Sequence, residues 1–463
     1  MSAFVIWLTL MSVASQCGSV LHWMDGTVAA TGRLEQRGQG YPPCDPSVQY
    51  SGYFSINKLT DKNYFFWAFE SRGNPLSDPV ILWMTGGPGC SSGLAVLAEN
   101  GPCKVDDSLN VTNNPYSWNN AATVIYIDQP AGVGFSYSDS DGYDDNEEEV
   151  AGDMYRFMQA FYLSYPRFLT NELFVYGESY GGHFAPATAH RIWKGNQDKE
   201  GVIVPLKGLS VGNGFTVPPI QYNYYAELAY HWCTTVKGEP CVTTAVYQSM
   251  IQAQPECTAL ILQCELNQTN TSCNAADNFC DNAQMNPYMD TNLNPYDIRI
   301  PCEVPGLCYN FSNIHLFFNR VDVQKSLGVY DQNITWSSCN FQVNGMFNND
   351  WMQRFDTEIP DLLNNGIRVL IYAGDMDFIC NWIGNKAWTM ALEWSGQVAF
   401  NNATDEPWYL DLVEAGRVRS VSSNTTQLLF SFVQIHGAGH MVPMDQPHRA
   451  LSMVEHFLAD RQF

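Results

Sequence analysis

Positive charge is scarce in this chain. Its 463 residues carry 23 Lys and Arg against 47 Asp and Glu, a formal net charge of −24. Binding nucleic acid requires clustered cations to neutralise phosphates, so that partner is excluded. The acidic balance instead suits an acidic working compartment, where part of the charge is neutralised and self-repulsion falls. Long apolar runs are lacking as well. The opening MSAFVIWLTLMSVASQCG has the length of a secretory leader and is short for a bilayer span, and no later uncharged stretch is continuously apolar over a spanning length. No membrane span is expected. Histidines number only nine and no C-x2-C pair occurs, which argues against zinc, so no metal or cofactor is expected. Internal repeats are absent, and a hydrophobic content of 45% with 13% aromatics excludes a disordered chain.

Cysteine is plentiful, with 14 in all. If Cys17 leaves with a leader at 1–18, 13 remain and at least one thiol is unpaired. Six of them, Cys233, Cys241, Cys257, Cys264, Cys273 and Cys280, crowd one segment without His partners, as disulfides in an oxidising compartment would. N-x-S/T sequons at Asn110, Asn267, Asn270, Asn310, Asn333, Asn402 and Asn424 fit the same route through the secretory pathway, to a lysosome, a vacuole or the exterior. A short pro-segment is expected at 19–37.

The run LFVYGESYGGH at 173–183 organises the rest. A short apolar strand ends in G-x-S-x-G, the pattern of a sharp strand-to-helix turn that lifts one hydroxyl, Ser179, above the sheet edge. Around it, strands and helices alternate. Aromatic-rich stretches between 49 and 71 read as an antiparallel hairpin, and apolar strands lie at 80–84, 123–127 and from 206. A helix spans 147–165, with acidic residues at its N-terminal end. From 221 to about 343 the texture turns rich in Tyr, Asn and Cys, which reads as a disulfide-stapled insertion, a cap. Alternation then resumes with a strand at 367, a helix at 382–394, a strand at 428 and a final helix at 447–458. The expected fold is an α/β-hydrolase: a mixed, mostly parallel sheet with helices on both faces, its core in two parts, 38–220 and 344–463, around the cap at 221–343.

A serine hydroxyl is a weak nucleophile and needs a base together with a group that orients the base. Asp375 and Asp377 follow the strand at 367, and His436 and His440 follow the strand at 428. The order Ser, Asp, His is that of α/β-hydrolases, in which each group sits on a loop after a strand. His440, in a small-residue loop before the last helix, suits a mobile imidazole better than His436 at a strand end; spacing does not choose between the aspartates. For the oxyanion, the Tyr180 N–H directly after the nucleophile is one donor, and the TGGPG loop offers a second at Gly87.

Together WMTGGPGCSS, DQPAGVGFSYS, GESYGGHFAP, GNGF, QYNYY, YAGDMDFICN and GAGHMVPMDQP resemble the serine carboxypeptidases, from about Tyr50 to the C-terminus. The resemblance implies Ser179 as nucleophile, His440 as base, Asp377 as orienter, and Gly87 with Tyr180 as oxyanion donors. It implies that Glu99 and Glu178 read the substrate's C-terminal carboxylate, along with Trp83 and Thr85; the usual residue at Thr85 is Asn, so the chain departs from the pattern there. It suggests the disulfides Cys90–Cys339, Cys302–Cys308, Cys233–Cys241, Cys257–Cys280 and Cys264–Cys273. Elimination then pairs Cys44 with Cys103 and leaves Cys380 free beside Asp377. Met441, Tyr296, Tyr309 and Cys380 are expected to line an apolar subsite.

These readings lead to an enzyme that releases C-terminal, preferentially hydrophobic, amino acids from peptides or proteins at acidic pH through an acyl-enzyme. Relatives dimerise, so a homodimer is an added expectation. The competing readings are an esterase or acyltransferase on the same machinery, and a glycoprotein that binds and protects a partner.

Overall fold

The computed structural model describes residues 45–463 and the backbone of 30–36. The expected leader, most of the expected pro-segment and Cys44 lie outside the described residues. Eleven strands form one sheet: β1 (Ala30–Gln36), β2 (Gln49–Asn57), β3 (Lys62–Phe69), β4 (Val80–Thr85), β5 (Thr123–Ile127), β6 (Leu173–Glu178), β7 (Leu206–Gly212), β8 (Arg368–Gly374), β9 (Glu406–Leu410), β10 (Val413–Val421) and β11 (Phe430–Ile435). Their order across the sheet is β1-β2-β3-β5-β4-β6-β7-β8-β11-β10-β9. The six strands from β5 to β11 in that order run parallel, and both flanks are antiparallel. The central strands are buried along their length because helices cover both faces, which is why they read as continuous apolar runs instead of alternating ones.

Two large clusters of buried side chains form the core. One contains Phe157 and Phe161 from the helix Glu147–Ser164 and Phe184 from the helix Gly181–Asp198; the other contains Phe457 from the helix Pro447–Leu458. Asn146 caps the first of these helices by accepting from the Glu149 N–H at 3.1 Å, and three glutamates follow at the positive end of its dipole.

The segment from 221 to 343 is mostly helical and includes a 24-residue helix, Thr244–Asn267, paired with Asn270–Cys280. Disulfides Cys233–Cys241, Cys257–Cys280 and Cys264–Cys273 staple it, Cys302–Cys308 closes a small loop, and Cys90–Cys339 ties it to the loop after β4. These are the five pairings the resemblance implied. Cys103 is also disulfide-bonded, and Cys380 is free and buried. All seven sequon asparagines are exposed. Among the described residues no helix is long and apolar enough to cross a membrane.

Candidate active site

Every group of the site stands at the C-terminal edge of the parallel strands. β6 ends at Glu178, the chain turns through Ser179 at φ +64°, and the helix Gly181–Asp198 begins two residues later. A positive φ on a residue with a side chain is strained, and it is held here by backbone bonds: Ser179 N–H donates to Gly212 O at 3.2 Å, and Ser179 O accepts from Gly182 N–H and Phe215 N–H, both at 2.9 Å. The loop after β4 closes over this turn. A Cβ on Gly86 would collide with the backbone at Tyr180 N and Glu178 O, so only glycine lets the two loops meet. Gly87 follows at φ +113°, a conformation that side chains rarely adopt.

The structure divides the two aspartates and two histidines into separate pairs. His440 Nδ1 lies 2.8 Å from Asp377 Oδ2, both groups buried. His436 Nδ1 lies 2.7 Å from Asp375 Oδ2, with its imidazole partly exposed and Glu414 at 3.6 Å on the other side. Those two acids lift the His436 pKa above its ordinary value, the Asp375 bond contributing most. His440 lines a cavity of about 240 Å³ together with Ser179, Tyr180, Gly87, Glu99 and Glu178; His436 does not. A third histidine, His183 of the GESYGGH run, is buried under aromatic rings, and burial pushes its pKa down to about 4, so it stays neutral.

The turn and first strand residues of a short hairpin, residues 295–299, stitch the two loops together. Pro295 O accepts from Phe378 and Ile379 N–H, each at 3.0 Å, and Ile298 N–H donates to Met376 O at 2.9 Å. On the other side His440 N–H donates to Tyr296 O at 2.8 Å, and Arg299 Nη1 donates to Gly437 O at 3.0 Å. The Gly87 loop has a similar tie, since Asn340 N–H donates to Gly89 O at 2.8 Å and Asn344 Nδ2 to Pro88 O at 3.1 Å, beside the Cys90–Cys339 bridge.

Glu99 and Glu178 approach each other within hydrogen-bond reach, both buried. Burial raises the Glu99 pKa to about 7, and burial with the neighbouring Glu99 carboxyl holds Glu178 well above the ordinary range. The remaining Oε2 of each has no partner. Such a pair keeps a proton between its members at neutral pH and below. Thr85 stands beside Glu178 in the parallel register and lines the cavity. Trp83, fully buried, does not reach the cavity; its Nε1 donates to Thr85 Oγ1 at 2.9 Å.

Cys380, Met441 and Tyr296 line the cavity, whereas Tyr309 lines an adjoining one and packs 6.2 Å, ring to ring, from Tyr296. The Cys380 thiol reaches Ser179, and burial with the Asp377 charge pushes its pKa well up, so it stays protonated. Asp377, Cys380 and His440 could face a metal ion, but the Asp377 bond to Nδ1 and the protonated thiol leave a poor donor set. Sequence reading missed Phe215, Tyr222, Tyr225 and Trp351, which also line the cavity. Three of them lie in the GNGF and QYNYY blocks; Trp351 carries no local signal.

A sharp strand-to-helix turn presenting a serine, with a buried Asp–His pair on the loops after later parallel strands, defines an α/β-hydrolase. Residues 41–460 match the family model described as serine carboxypeptidase. Serine carboxypeptidase 3 of Hordeum vulgare is 40% identical over 92% of this chain and 82% of its own length. Carboxypeptidase Y of Komagataella phaffii is 40% identical over 90% and 76%. The crystal structure of Kex1(delta)p, a prohormone-processing carboxypeptidase from Saccharomyces cerevisiae, superposes with a TM-score of 0.77 at 25% identity, covering 93% of this chain and 96% of that one. The chain belongs to the serine carboxypeptidase family, and its enzyme class is hydrolase.

Proposed function

We propose that this enzyme removes single C-terminal residues, preferentially hydrophobic ones, from peptides at acidic pH. Ser179 attacks the last peptide carbonyl while His440 takes its proton, and Asp377 fixes the imidazole so that the other ring nitrogen serves as base. The tetrahedral oxyanion is received by the N–H groups of Gly87 and Tyr180. His440 then protonates the leaving amine, and water attacks the acyl-Ser179 ester by the same route in reverse.

The observation that carries the reading is the buried Glu99–Glu178 pair beside the serine. Two acids sharing protons can donate to a substrate carboxylate, whereas two ionised ones repel it. Thr85, whose hydroxyl already accepts from Trp83, has its own hydrogen left to donate. The mostly apolar cavity wall, with Met441 directly after His440 and no Lys or Arg among the lining residues, favours hydrophobic side chains on the leaving residue. The acidic composition and exposed sequons support work in a lysosome, a vacuole or the exterior.

The test compares a peptide with its C-terminal amide between pH 5 and 8. Loss of the free-acid activity alone as pH rises supports carboxylate reading. An equal decline of both substrates overturns it and favours an esterase or acyltransferase.

A further inference from the structure

We infer that Asn213 is a positioning residue for the reaction, acting through Asp377; the inference rests on the proposed roles of Ser179, His440 and Asp377. Asn213 follows β7, is fully buried and holds φ at +39°, with its N–H donating to Tyr372 O at 2.8 Å. Its side chain faces two ways. Oδ1 accepts from Gly374 N–H at 2.9 Å, at the last residue of β8, while Nδ2 donates to Asp377 Oδ2 at 2.8 Å. That Asp377 oxygen is the one bound to His440 Nδ1, and it also accepts from Cys380 N–H at 3.2 Å; Oδ1 accepts from Ile379 N–H at 3.1 Å.

Two of the three protein donors besides the imidazole are backbone groups of the loop that carries Asp377, and they move with it. Asn213 belongs to a different strand, the neighbour of the one that feeds Ser179. Its amide therefore references the Asp377 carboxylate to the sheet, and so to the serine. As a donor on the shared oxygen beside Cys380 N–H, it fixes the orientation of the carboxylate toward His440, which keeps the imidazole in the tautomer with a free second nitrogen.

Asn213→Asp separates this role from a purely structural one. Aspartate is isosteric, tolerates the same backbone conformation, and its Oδ1 still accepts from Gly374 N–H; only the donor is replaced by a second carboxylate. We expect kcat to fall about 100-fold or more at pH 7, KM to stay within about threefold, and activity to recover in part toward pH 5, where the two carboxyls share a proton. Retention of wild-type kcat with an unchanged pH profile would overturn the assignment. If the aspartate variant does not accumulate folded, Asn213→Ser and Asn213→Gly decide it, because serine keeps a short donor and glycine none. A serine variant at least about tenfold faster than the glycine variant supports the role, and equal rates overturn it. Ser179→Ala and His440→Ala run alongside: activity in those variants would sink the reading of the site itself, whereas an active Asn213→Asp beside inactive controls sinks only this inference.

Discussion

Asp375 and Asp377 stand two residues apart on one loop, yet each holds a different histidine, and only the pair of Asp377 reaches the cavity. Asp375 also accepts from Gly437 N–H at 2.8 Å and Gln434 Nε2 at 3.1 Å, so it knits β8 to β11. The difference predicts opposite outcomes. Asp377→Asn should lower kcat by about 10³ to 10⁴ with KM little changed, because the imidazole loses its enforced tautomer. Asp375→Asn should keep kcat within about tenfold and show its loss in the thermal unfolding midpoint. Reversal of the two would transfer the role to His436.

The Glu99–Glu178 pair links stability to pH with a definite sign. Folded carboxyls with raised pKa bind protons that the unfolded chain has released, so stability falls as pH rises from the unfolded value near 4.5 through about 7. Unfolding midpoints measured from pH 5 to 8 should decline, and Glu99→Gln should flatten the decline while raising KM for free-acid peptides. A Glu99→Gln profile parallel to wild type would rule out this pair as the source.

Met441 is predicted to set the charge preference of the leaving residue. Met441→Glu should raise the ratio of Lys to Leu release by about tenfold or more, since a cation in the apolar pocket lacks a partner until a carboxylate is supplied. Competition assays with paired peptides read the ratio directly, and no change would remove Met441 from the subsite.

The bridge Cys90–Cys339 spans 249 residues of sequence and anchors the loop that carries Gly87. Replacing both cysteines by alanine should cost about 2 to 5 kcal/mol of stability. It should also lower kcat by about tenfold for ester and peptide substrates alike, as the oxyanion donors lose their fixed placement. Calorimetry and parallel kinetics separate the two effects.

Much of the fold was legible because the parallel strands are buried on both faces and read as apolar runs: β5 and the helix Pro447–Leu458 begin and end where the sequence places them. The edge hairpin β9–β10 was not. Its outer strand is mostly exposed and carries Glu406 and Pro407, so no alternation marks it. Within the site, Ser179 and the two loops bearing Asp and His were readable from order and motif. The choice of Asp377 came from the resemblance, since residues i and i+2 are equivalent by periodicity. Asn213 sits in the GNGF block, but nothing in the sequence ties it to Asp377, because a buried asparagine's partners are set by the fold. Trp351 reaches the cavity through tertiary packing alone.

The strip of chain at 295–299 lies in the expected insertion, yet its hydrogen bonds are the splints on which the loops of Asp377 and His440 are set. On the proposed roles of Asp377 and His440, the insertion would be a structural member of the site and not a detachable cover. A minimal hydrolase carved from the sheet and its helices alone would leave those two loops without a common brace, and trimming this enzyme toward such a core would discard chemistry before it discarded bulk.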